Sequence, residues 1–128
     1  MVLVLGRQQA FFFYSHNYLA MSWIHDNFHK FVPKIRHYSN GRPAVEYLML
    51  SDEPELAEMG YMESACVATL NLPDEDLEAD EVIIKDYSEN QGIYDCMLKA
   101  GHIGPASRYV KSGFITAPVC KLLLTQKS

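Results

Sequence analysis

The stretch "NLPDEDLEADEVIIKDY", residues 71–87, places six carboxylates in the eight positions from Asp74 to Glu81. Acids at this density can coordinate a hard cation, imitate the phosphates of a nucleic acid, or keep a turn between strands solvated. Asp74, Asp76, Glu78 and Asp80 alternate as in a calcium loop. An EF-hand loop opening at Asp74 needs glycine at position 79, glutamate at position 85 and a helix on each side. The sequence has Ala79 and Lys85 instead. Two readings then remain. Either the acids solvate a turn and discourage edge pairing of the strands beside it, or they occupy a groove lined with Lys and Arg in place of phosphate.

Other residues could hold a metal or act as nucleophiles. His25 and His29 stand four apart with Asp26 between them, so a helix would put both imidazoles on one face. His16 and His37 are the nearest further candidates, and no third ligand is evident. The plain alternative is an amphipathic helix with histidines at its rim. Cys66, Cys96 and Cys120 show no paired spacing, which argues against a disulfide framework and a zinc ribbon. Each falls in an expected core element, where free cysteine acts as a small hydrophobe. A nucleophilic Cys96 would need His102 beside it, and no motif supports that pair. Walker, Gly-x-Gly-x-x-Gly and Gly-x-Ser-x-Gly patterns are absent. No catalytic residue, metal or cofactor is expected.

The formal charge of −5 hides a strong division along the chain. Residues 1–50 carry two acids and five bases, residues 51–90 thirteen acids and one base, residues 91–128 one acid and five bases. The middle block repels nucleic acid and attracts basic partners. Lys99, Arg108, Lys111 and Lys121, with Tyr109 among them, make the last third basic, but four spread charges form no strong patch. Direct nucleic-acid binding is therefore not expected.

These side chains need a scaffold. At 128 residues the chain is read as one domain, with 1–32 as an N-terminal helical segment and 33–125 as an α+β core. MVLVLG is a short strand or an unstructured start. Leu19, Trp23, Phe28 and Phe31 suggest a helix from about Ser15 to Phe31, stopped by Pro33. Asn40-Gly41 is a hairpin turn between arms Lys34–Tyr38 and Ala44–Leu50. Residues 51–63 read as an acidic loop with one helical turn at Glu55–Met59. "ACVATLNL" is a half-buried strand with Cys66, Ala68, Leu70 and Leu72 on one side, and "EVIIKDY" is a second strand. A helix follows from Ser88 as N-cap to Gly101. "HIGPASRYVKSG" reads as a loop, and 114–125 as a final strand that Pro118 confines to an edge or a bulge. The expected fold is α+β, with a mainly antiparallel sheet of about four to five strands covered by one or two helices.

The segments "SNGRPAVEYLML", "ATLNLPDEDLEADEVIIKDY" and "GIYDCMLKAGHIGPASRYVKSGFITAPVCKLL" resemble a small uncharacterised domain family of phages, plasmids and integrative elements, over about residues 34–124. The resemblance implies an α+β fold and a mobile-element origin. It brings no catalytic residues with it. Segments 1–32 and 51–63 depart from the family pattern.

The favoured expectation is a non-enzymatic acidic protein of a mobile element that inhibits a host nuclease or CRISPR effector by covering its basic site. Asp52, Glu53, Glu55, Glu58, Asp74, Glu75, Asp76, Glu78, Asp80 and Glu81 would make the contact. The alternatives are a small metal-binding protein or enzyme using His25, His29 and nearby carboxylates, and a regulator that self-associates as a homodimer through edge strand 114–125. Sparse cysteines fit a reducing compartment, the host cytoplasm. The longest uncharged run, Gln8 to His25, carries polar residues that a bilayer core penalises, so no membrane span and no signal peptide are expected.

Overall fold

The computed structural model describes residues 23–125. Two antiparallel sheets share one main core. Residues 23–27 are helical (α1) and run into a 3-10 turn at Phe28–Lys30. The strands are β1 (Val32–His37), β2 (Pro43–Leu50), β3 (Met62–Val67), β4 (Thr69–Leu70), β5 (Glu81–Ile84), β6 (Arg108–Ser112) and β7 (Ile115–Lys121). Helix α2 (Pro54–Glu58) joins β2 to β3, and α3 (Ile93–Lys99) follows β5. The first sheet has the order β1-β2-β3 and the second β4-β5-β7-β6. The α+β class with antiparallel pairing is the expected one, with seven strands divided between two sheets. The start of the expected N-terminal helix, the MVLVLG segment and His16 lie outside the described residues.

The chain changes sheets at Ala68. Its N–H donates to the Val45 carbonyl and its carbonyl accepts from Lys85 N–H, both at 2.8 Å, so this fully buried alanine is bonded to both sheets. The period-two pattern read across Cys66, Ala68, Leu70 and Leu72 breaks here. Cys66 and Ala68 pack in the main core, whereas Leu70 and Leu72 pack on the opposite face of the second sheet.

Alternation along β2 turns Val45, Tyr47 and Met49 into that core, where they meet Val82, Ile84 and Cys120 from the second sheet and Ile93, Cys96 and Met97 from α3. Ile24 and Phe31 are buried in the same cluster. Part of the segment assigned to the N-terminal extension, 1–32, therefore belongs to the core. Burying each such large side chain contributes about 1.5–3 kcal/mol.

Helix α3 is shorter than expected. Ser88–Asn90 is a 3-10 turn, Ser88 has φ 58, and Gly92 at φ 99 precedes the helix. Ser88 is not its cap. Asp86 Oδ1 instead accepts from the N–H groups of Gly92 and Tyr94, each at 3.0 Å. Burial raises the Asp86 carboxyl above its usual range, against the lowering by these backbone donors.

Residues 108–112, expected as loop, form β6. Gly113 and Phe114 make the two-residue turn into β7, and Gly113 takes the positive φ of 63 that the first position of such a turn demands. β7 is an interior strand between β5 and β6, which overturns its expected edge position and with it self-association through 114–125. Pro118 is tolerated for a local reason. β5 pairs with β7 only from Lys121 to Val119, so pairing on that flank ends one residue before the missing N–H.

Candidate functional site

The acidic run is a clamped loop across the outer face of the second sheet. Leu72 and Leu77 pack against Ile83, Val110, Ala117 and Val119, fixing the loop from beneath. Two arginines fix it from the sides. Arg42, beside the Asn40-Gly41 turn, donates to the carbonyls of Leu72 at 2.9 Å and Glu75 at 2.6 Å. Asn40 adds a bond to Asn71 Oδ1 at 3.1 Å. Arg108 on β6 donates to the carbonyl of Asp76 and, at 3.3 Å, to both carboxylate oxygens of Glu81.

Glu81 departs from its expected role. Only 9% of it is exposed, and its Oε1 also accepts from Glu78 N–H at 2.9 Å. Its carboxylate is turned inward and holds the loop. Asp80 is exposed and lies 3.5 Å from Lys121 Nζ. The carboxylates of Asp74, Glu75, Asp76 and Glu78 form no ion pair among the described residues, although Glu75 is half-buried. The six carboxylates of the loop stand beside three cations, Arg42, Arg108 and Lys121, so the local charge is −3 rather than −6.

Asp52, Glu53, Glu55 and Glu58 do not join this surface. They surround α2 at the far end of β2, whereas the acidic loop touches the turn at its near end. Eight residues of β2 lie between, a span of roughly 23 Å at about 3.3 Å per residue. The acidic block of the sequence is thus two patches.

Among the described residues, no group of three or more His, Cys, Asp or Glu side chains could hold a metal ion. His25 Nε2 lies 3.2 Å from Asp95 Oδ2, which also meets Lys99 at 3.1 Å, while His29 is exposed on the 3-10 turn. Residues 74–85 follow β4, contain β5 and lack the helices of an EF-hand. Burial pushes the Cys66 thiol up to about 12 and those of Cys96 and Cys120 up to about 11, which disfavours thiolate. His102 bonds to Tyr47 through Nδ1 at 2.7 Å. Lys99, Arg108 and Lys121 are each paired with an acid. No helix among the described residues is long and apolar enough to cross a membrane.

The sequence reading missed Arg42 and Leu77, and took Arg108 only as one of four spread basic charges. Leu77 carried a signal, being the one leucine among the acids of a run taken as solvated. No family model matches the chain, and no curated protein or solved structure matches it.

Proposed function

We propose that the protein is a non-enzymatic acidic binding module whose loop 71–81 covers a basic site on a nucleic-acid-binding protein. The way the loop is clamped carries this reading. Arg42 and Arg108 bond to its backbone carbonyls, and the one carboxylate Arg108 engages is the inward Glu81. The loop is held while Asp74, Glu75, Asp76 and Glu78 form no ion pair among the described residues. A surface fixed before binding loses little conformational freedom when a partner arrives. Four carboxylates on one loop also complement the Lys and Arg that line a phosphate groove.

The resemblance to a mobile-element family makes a host nuclease or CRISPR effector the partner class to try first, with the host cytoplasm as the place of encounter. Inhibition needs no turnover, only exclusion of nucleic acid from the covered site. Immobilised protein incubated with host lysate at low salt tests this. The retained partner should be released as salt rises, because exposed charges are screened over about 8 Å at physiological ionic strength. Duplex DNA or heparin should release it too. Retention indifferent to both salt and polyanion would contradict the reading.

A further inference from the structure

β6 is the last strand of the second sheet, and no described residue pairs with its outer edge. Hydrogen bonds around β7 show which backbone groups of β6 face outward. Leu122 donates to the Asp80 carbonyl at 2.7 Å, toward β5. The carbonyl of Val119 accepts from Ser107 and that of Lys121 from Gly104, both at 2.9 Å, on the side of β6. Backbone groups alternate sides along an antiparallel strand. Val119, Ala117 and Ile115 therefore bond toward Arg108, Val110 and Ser112, their register partners. Tyr109 and Lys111 are left with N–H and C=O directed out of the sheet. Their side chains are exposed, and Phe114 at the hairpin tip is fully exposed.

We propose that β6 is a self-association edge, along which two copies pair antiparallel about Val110 and join two four-stranded sheets into one of eight strands. In this register Tyr109 of each copy exchanges backbone hydrogen bonds with Lys111 of the other, four bonds in all. The side chains are self-complementary. Each Lys111 ammonium lies opposite a Tyr109 ring, a favourable cation–π pair. Arg108 lies opposite Ser112, so no like charges face each other, and its guanidinium is already engaged by Glu81. Phe114 comes level with Ala106 of the second copy. Lysine on an edge usually discourages pairing, but here the symmetric register supplies it with a ring. The two-fold axis passes through the sheet at Val110, so both acidic loops lie on one face. The inference does not rest on the proposed partner, and either can fail alone.

Two exposed substitutions test it. Tyr109→Lys sets lysine opposite Lys111 twice, whereas Tyr109→Glu sets an ion pair there twice. Sedimentation equilibrium of the full chain should show a concentration-dependent dimer. Tyr109→Lys should weaken it about tenfold or more, and Tyr109→Glu should retain it, with melting temperatures of both near wild type. A wild type that stays monomeric to its solubility limit would overturn the inference, as would two variants that dimerise alike.

Discussion

The hydroxyl of Tyr47 lies 2.7 Å from Nδ1 of His102, tying the centre of β2 to the segment that follows α3. Burial raises the Tyr47 phenol far above its usual value and lowers the His102 imidazole, so both are neutral. The two neutral groups share one hydrogen bond, whose donor is set by the imidazole tautomer. Phe28 packs on both rings, at 5.2 Å from Tyr47 and 5.9 Å from His102. Because the folded-state pKa of His102 lies below its unfolded value, the unfolded chain binds the proton more readily. This contribution to stability is complete above the unfolded value of about 6.5 and is lost as pH falls through the lower folded one. Melting temperature should drop as pH falls below about 6.5. His102→Asn should flatten that drop. An equal drop in the variant would assign the effect to another group.

Leu77 and Arg108 should control the order of the acidic loop. Leu77→Ala removes half-buried apolar contacts and should cost roughly 1–2 kcal/mol. Arg108→Ala leaves the inward Glu81 carboxylate without its guanidinium and should cost roughly 1–3 kcal/mol. Both should speed cleavage at Glu75 and Glu78 by a glutamate-specific protease by more than the loss of global stability alone accounts for. Unchanged cleavage would mean that neither contact restrains the loop.

Local chemistry was legible in the sequence, and long-range arrangement was not. The hairpin at Asn40-Gly41 follows from backbone preferences of adjacent residues, and the structure has its arms at Val32–His37 and Pro43–Leu50, with Gly41 but not Asn40 at positive φ. β6 was read as loop because Arg108, Tyr109, Lys111 and Ser112 surround one inward residue, Val110, a pattern an edge strand shares with a surface loop. The change of sheet at Ala68 depends on bonds to Val45 and Lys85, which no period-two pattern encodes. The clamp on the acidic loop was hidden for the same reason. Arg42 reaches Leu72 across 30 positions and Arg108 reaches Asp76 across 32. The acids could be read from their spacing, but their division into two patches depends on the length and direction of β2.

The three thiols should be inert in the folded protein. Burial holds all of them well above the usual thiol range, and Cys96 and Cys120 are inaccessible as well. Only the thiolate alkylates at a useful rate. Intact mass after iodoacetamide treatment at neutral pH should show an unmodified native chain, and three adducts once the protein is unfolded. A fast-reacting cysteine in the native protein would reopen the nucleophile reading of Cys96.

Separation of the acids into two patches allows each to be neutralised alone. Replacing Asp74, Glu75, Asp76 and Glu78 by Asn or Gln removes the unpaired charges of the clamped loop and spares Glu81 and Asp80, which have partners in the fold. Substitutions at such surface positions change stability by less than about 0.5 kcal/mol each. Melting temperature should hold, and relief of mutual repulsion should offset any loss. By contrast, Met97→Ala, at a fully buried position, should cost roughly 2–5 kcal/mol. Capture of the basic partner should disappear in the loop variant. It should survive when Asp52, Glu53, Glu55 and Glu58 are neutralised instead, because that patch lies at the other end of β2. Loss of capture in both variants would mean the partner spans the length of β2. Survival in both would leave the loop as a solvated turn, its charges serving only to discourage edge pairing of the strands beside it. A loop variant that melts far below wild type would show that those four carboxylates are structural, and the binding reading would lose its main support.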